Sequence, residues 1–338
     1  MTQLVESQRA SAALRNPSSR NNASLRNKIL SMAVLSLVLA ATYLLIFVDM
    51  RFVEFAMMIR TPKLAAIIIA AFCIGVATMV FQSIINNRIV TPCLLGMNAL
   101  YILIHTAVAF VFGATSDFSA DKHIAFCIDV VLMSVLSTLI YGYLFNKTNY
   151  NILFVLLSGT VMATLFGSIS DTLLRTMDPN EYDVLLNSLI AGFNNVNSDI
   201  IALACTLIVL VAFWLRKEVM LLDVITLGKH QAINLGVPYD KVVVKLLLGV
   251  TIFITIATAL VGPISFLGLI IANVAREFLP TYRHRYLLAG SFLAGVIVLL
   301  AGQLLIEHVF EFGSVISVFI NVFGGAYFLY LIVKGQQL

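Results

Sequence analysis

Apolar positions along this chain gather into ten long runs, at about 29–48, 63–85, 94–113, 124–145, 151–170, 199–215, 242–261, 264–279, 286–306 and 314–333. A helix rises about 1.5 Å per residue, so about 20 apolar residues cross a hydrocarbon core of about 30 Å. The pattern predicts an all-α, polytopic membrane protein of about ten transmembrane helices. Two places are irregular. The eighth run is short and opens on Gly262 and Pro263, and the sixth is preceded by an apolar but Asn-rich stretch, Leu185 to Asn197, which reads as a non-spanning helix and a turn.

The basic residues orient this array. With ten spans and the first residue inside, sixteen of the 21 Lys and Arg residues fall on the inner side. Such a bias is the signature of cytoplasmic loops, so both termini are predicted to be cytoplasmic. Trp214 beside Arg216 and Lys217 fits an anchor at the inner interface. Residues 1–28 carry Arg9, Arg15, Arg20, Arg26 and Lys28 against Glu6 alone. They read as a disordered basic cytoplasmic tail ahead of a single membrane domain over 29–335. Arg- and Ser-rich starts also occur in organelle transit peptides, an alternative that composition leaves open.

Composition agrees with the pattern. The chain is 60% hydrophobic and 11% charged, with a mean hydropathy of +0.99, where soluble domains run at about 45–50% and about 25%. The net charge of +4 is spread over loops on one side, which argues against a nucleic-acid partner. Cys73, Cys93, Cys127 and Cys205 lie in or beside apolar runs with no paired spacing, as small buried residues do. Gln82, Asn98, His105, Asp129 and Asp199 are the polar residues placed within spans, where they are costly. His105 lacks a second ligand at helical spacing and suits hydrogen bonding between helices. Asp129 and Asp199 lie near boundaries, where water access accounts for them. No metal-ligand spacing and no cofactor motif appears. Gly228-Lys229 lacks the rest of a phosphate-binding loop, so an ATP-driven motor, if there is one, is another polypeptide.

The longest internal polar connection, about 217–241, falls inside. It holds an apolar patch, Leu221, Leu222, Val224, Ile225 and Leu227, and then a short helix from Gly228 that stops at Gly236, with Pro238 beyond. Two short apolar helices in a cytoplasmic loop need a cover, either the protein's own inner surface or a docking partner.

Five segments, in order, carry a family likeness. They are Arg60-Thr61-Pro62-Lys63; Gln82, Asn87, Pro92 and Leu95-Gly96; Leu227-Gly228 with Ala232 and Leu235-Gly236-Val237; Gly262 to Leu269 followed by Arg276; and Gly324-Gly325 with Phe328-Leu329-Tyr330. Over about residues 30–335 the chain resembles the FecCD-type iron-chelate permeases of ATP-binding-cassette importers, relatives of the vitamin B12 permease. The resemblance implies a transport subunit rather than an enzyme, in the bacterial cytoplasmic membrane, with no cofactor. It implies cytoplasmic ATPase subunits docked on Leu227, Gly228, Lys229, Ala232, Leu235 and Gly236. It also implies a second permease, the same or paralogous, and an extracytoplasmic binding protein that docks on Arg60 and Lys63 and delivers a ferric siderophore to the outer mouth. For those two residues lipid-headgroup anchoring is the plainer alternative.

Gln82, Asn87 and Gly268 belong to the family's pathway or helix-packing positions. Gly159, Ala163 and Gly167, at four-residue spacing, form a small-residue face that serves either close packing or the pathway. The sequence departs from the family at Arg88, where a Pro is usual, and at Ala272-Asn273, where Pro-His is usual. Glu307 stands near an expected Arg, and Ala326 near an expected Pro. These departures fit a divergent subgroup for catecholate or mixed-type siderophores. Vitamin B12 or haem remains an alternative cargo, and an ion-gradient-driven secondary transporter an alternative mechanism. The latter would favour paired intramembrane acids on facing helices.

Overall fold

The ten apolar runs become ten helices in the structure, a computed structural model that describes residues 17–46, 51, 53–113, 122–148, 152–193, 198–311 and 314–335. In chain order the helices are α1 Pro17–Leu45, α2 Val53–Ile85, α3 Met97–Phe112, α4 Lys122–Lys147, α5 Ile152–Thr176, α6 Pro179–Leu189 and α7 Ser198–Met220. They continue with α8 Leu222–Ile225, α9 Lys229–Asn234, α10 Tyr239–Val261, α11 Leu267–Phe278, α12 His284–His308 and α13 Ile316–Gly335. Among the described residues eight of these are long and apolar enough to cross a membrane. The other two membrane segments are the shorter α3 and α11, of 16 and 12 residues. Helix α6 is a non-spanning element before the sixth span, as expected, but it occupies Pro179–Leu189 rather than the stretch from Leu185 to Asn197. Its start is capped by Asp178, whose side chain accepts from the Asn180 N–H, with Pro179 in the first turn.

Two boundaries differ from the sequence pattern. Helix α1 begins at Pro17, inside the stretch expected to be a disordered tail. Its added turns are tied down: Leu25 is buried with Met79, Ala275 and Leu279, and Lys28 Nζ donates to the Phe278 carbonyl at 2.9 Å. The rest of that tail, 1–16, lies outside the described residues. Helix α2 runs through Pro62 back to Val53, giving 33 residues, or about 50 Å against about 30 Å of hydrocarbon. Pro62 removes one helical hydrogen bond near the outer end of α2.

Helix α2 is the central post, packed between α12 and α10, while α10 also packs on α4 and α7. Two small-residue pairs bring α2 and α12 together. A Cβ on Gly75 would lie 3.1 Å from the Ser291 carbonyl oxygen, and one on Gly295 would lie 3.0 Å from the Ala71 Cβ. Ala71-xxx-Gly75 thus faces Ser291-xxx-Gly295, so the backbones approach as closely as small residues permit.

The short helices begin partway along the bundle. Gly96, at φ 94°, packs on Ala163 in the middle of α5, so the chain after α2 re-enters before α3 starts. Helix α11 follows the extended Gly262–Ser265 segment, and Asn98 Nδ2 donates to Ser265 Oγ at 3.1 Å. The starts of α3 and α11 therefore meet inside the bundle.

Candidate coupling surface and translocation face

The cytoplasmic corner between α7 and α10 is built with an inner and an outer side. Leu222, Ile225 and Ala232 are buried and anchor α8 and α9 to the membrane domain. Leu227 (55% exposed), Ile233 (49%) and Leu235 (63%) face outward. One set of apolar residues thus packs back on the protein, and another is left uncovered. Gly228 joins the two helices at φ 98°, ψ 162°, a conformation that only glycine adopts readily. Gly236 closes α9 at φ 81°. Its N–H donates to the Ile233 carbonyl at 2.9 Å and the Val237 N–H to the Ala232 carbonyl at 3.0 Å, the paired bonds of a Schellman cap. Lys229 Nζ meets Asp240 Oδ1 at 2.8 Å across this turn. Both groups are exposed, so the pair adds little stability.

A polar link that sequence reasoning missed fastens the corner to the bundle. Asp223 Oδ1 on α8 accepts the His284 N–H at the start of α12, at 2.9 Å, and also faces the His284 Nδ1. His284 Nε2 lies 2.8 Å from Ser83 Oγ near the end of α2. One histidine therefore joins α8, α12 and α2. The only signal in sequence was an acid and a histidine at two helix starts, 61 positions apart.

Gln82 and Asn87 shape the loop after α2. Gln82 Nε2 donates to the Arg88 carbonyl at 2.7 Å, and Asn87 Oδ1 accepts the Ile89 N–H at 2.8 Å. Asn273 Nδ2 of α11 reaches the same Arg88 carbonyl at 3.1 Å. Gly268 is a packing position, since a Cβ there would collide with the Thr78 side chain.

The α5 residues divide. A Cβ on Gly159 would come within 2.6 Å of Leu95, and Ala163 sits against Gly96, so both serve packing. Gly167 has no atom within 4 Å of its Cβ position. It lies beside an exposed line of Thr160, Thr164, Ser168 and Thr172, with Asp171 and Arg175 toward the outer end. The threonines bond back to their own helix, as Thr164 Oγ1 does to the Thr160 carbonyl at 2.9 Å. At the outer end of this face Asp171, Arg175 and Tyr182 border an open cavity of about 490 Å³.

Arg60 has a structural task at the outer side. Its Nη1 donates to the carbonyls of Tyr43 and Ile46 at 2.8 Å each, closing the end of α1. Lys63, one turn on, is half-buried. Glu307 accepts from the Tyr43 hydroxyl at 3.1 Å and from Gln303 Nε2 at 2.8 Å, so its departure from the family pattern is part of a local network. Asp129 is buried rather than watered: it pairs with His105 Nδ1 at 3.2 Å, joining α3 to α4. His105 thus does bond between helices. Among the described residues no cluster of His, Cys, Asp and Glu suits a metal ion.

Residues 25–334 match the FecCD transport family. The petrobactin import system permease protein YclO of Bacillus subtilis is 43% identical over 294 residues, which cover 87% of this chain and 93% of that protein. The petrobactin import system permease protein FatC of Bacillus anthracis is 34% identical over 279 residues, covering 82% and 79%. A solved chain of a metal-chelate type ABC transporter in an inward-facing conformation superposes with a TM-score of 0.77 at 18% identity, covering 92% of this chain and 99% of that one. At that identity the likeness shows the fold.

Proposed function

From the premise that this chain belongs to the FecCD transport family, we propose that it is one of two permease subunits that pass a ferric siderophore inward, driven by ATPases docked on α8 and α9. It is a multi-pass transport subunit of a metal-chelate importer in the bacterial inner membrane, not an enzyme. The observation that carries the coupling assignment is the uncovered apolar edge of Leu227, Ile233 and Leu235 on a corner whose other side is rigidly packed. A partner that covers this edge and moves would drag α8, and through Asp223 and His284 would pull on α12 and α2. Nucleotide binding can shift access only through such contacts, made better in one state than in the other.

The cargo reading rests on the relatives. Both petrobactin import permeases match over most of their length, which favours a siderophore of that kind, with the catecholate or mixed-type chelate as the finer reading. The exposed hydroxyl line of α5 suits a path for a bulky polar chelate: many weak contacts and no tight site. Selectivity then resides in a binding protein that docks at the outer end of α2, where Lys63 stands beside Arg60. Charged contacts there set orientation and on-rate more than affinity.

The test is uptake of radiolabelled iron by iron-starved cells lacking the chromosomal copy and carrying this chain, with ferric petrobactin, vitamin B12 and haem offered separately. Petrobactin-dependent uptake, together with an ATPase and a second permease captured on the tagged chain, is the expected result. Uptake that collapses with a protonophore while ATP is held constant would instead favour an ion-gradient mechanism.

A further inference from the structure

The inner-leaflet half of the bundle holds a slot that the transport reading does not use. It opens between α7 and α12, with α2 as floor and α10 as far wall, and encloses about 510 Å³. Phe72, Val76 and Val80 line its floor on successive turns of α2, so it runs about 12 Å along the bilayer normal. Phe72 meets Phe253 and Phe292 edge-on, at centroid distances of 5.8 and 5.7 Å, and closes the upper end. Every other lining side chain is apolar except Arg216, at the cytoplasmic lip.

Below the slot, and sharing Ala289 with it, lies a second cavity of about 520 Å³ bordered by Tyr282, Arg283, Arg285, Tyr286 and Asp223. The acids nearby are already engaged. Asp223 is held by the His284 backbone and ring, and Glu218 pairs with Lys245 at 2.6 Å. Arg216 lines the slot and Arg285 the cavity below it, which makes the mouth basic.

We propose that this composite cleft binds one anionic phospholipid of the inner leaflet, with an acyl chain in the slot and the phosphate headgroup between Arg216 and Arg285. The two halves do different physical work. Lipid tails are as apolar as the slot, so filling it gains packing rather than a hydrophobic driving force, and any acyl chain serves. The basic mouth supplies the discrimination, since arginines at a membrane surface favour anionic headgroups. Asp223 of α8, held by His284, borders the same cavity, so the site adjoins the coupling corner.

The experiment places the purified full chain in nanodiscs of phosphatidylcholine doped with phosphatidylglycerol and counts the lipids retained on release by native mass spectrometry. One phosphatidylglycerol per chain is expected to survive. Arg216→Gln and Arg285→Gln should each lower its retention about fivefold, and Ala289→Trp, which fills the junction, should abolish it. Should the tryptophan variant fail to fold, the two arginine variants decide. Equal retention of both lipids by the wild type, or undiminished phosphatidylglycerol in both arginine variants, overturns the proposal. Displacement of the retained lipid by inorganic phosphate alone also overturns it, because that would reveal an anion site with no need of a chain.

Discussion

Gly236→Val tests the coupling corner at its most constrained point. The residue sits at φ 81°, and no atom lies within 4 Å of where a Cβ would go. A substitution there meets no steric neighbour, so its whole cost is conformational. An L-residue held in the left-handed region costs about 1–2 kcal/mol, with β-branched side chains at the high end and Asn near the low end. Set against a total stability of about 5–15 kcal/mol, this leaves the protein folded. The strain is local to the two hydrogen bonds that close α9, so the equilibrium constant favouring the corner's native shape should fall by about 5- to 30-fold.

The assay is the reconstituted importer in liposomes, scored as ferric siderophore delivered per ATP hydrolysed. Gly236→Val is expected to insert normally and keep nucleotide hydrolysis while transport falls, by at most about 30-fold. Gly236→Asn, whose side chain tolerates the left-handed region, should stay close to wild type. Wild-type transport by the valine variant would refute the reasoning. So would equal damage from asparagine, because a purely conformational cost must rank the two.

Other residues give independent checks. Leu227→Ser with Leu235→Ser alters side chains that are 55% and 63% exposed, so thermal unfolding in detergent should hold within about 0.5 kcal/mol per site while co-purification of the ATPase is lost. Gly75→Leu should overpack the α2–α12 crossing at a cost of about 1–3 kcal/mol, read as a lower Tm, whereas Gly167→Ala, inside a helix with open space around its Cβ position, should hold or slightly raise Tm. Lys63→Glu should slow loading by the binding protein in stopped-flow measurements, with an effect that shrinks as salt rises; a salt-independent defect would assign the lysine to folding instead.

What could be read from sequence followed from solvent and local geometry. Ten apolar runs must be helical because hydrocarbon satisfies no backbone group, and Gly236 followed by Pro238 marks a helix end whatever surrounds it. The stops and starts that failed depended on distant partners. Helix α1 reaches back to Pro17 because Leu25 finds a pocket made by α2, α11 and α12, which no local pattern foretells. The same holds at the sites. Four-residue spacing of Gly159, Ala163 and Gly167 was visible, yet only the neighbouring turn at Leu95 and Gly96 separates the two packing residues from the open one. Ala71-xxx-Gly75 and Ser291-xxx-Gly295 were equally visible, but their significance lies in facing each other.

Two departures from the family pattern meet on a single contact. Asn273 stands where a His is usual and Arg88 where a Pro is usual, and the Asn273 amide donates to the Arg88 carbonyl at 3.1 Å, beside Gln82 at 2.7 Å. Any residue at 88 offers a carbonyl, so the change there supplies no new acceptor; it changes where the backbone carries that acceptor. A proline fixes φ and restricts the residue before it, and that residue, Asn87, forms the turn that presents the loop. The short amide at 273 then matches a carbonyl position set by a non-proline backbone. Asn273→His and Arg88→Pro should therefore each lower the Tm of the detergent-solubilised protein, and the double variant should recover part of the loss, with a coupling of about 0.5–3 kcal/mol typical of residues in direct contact. Additive losses, within about 0.5 kcal/mol, would mean that the two positions changed independently and that their contact carries no share of the loop's geometry.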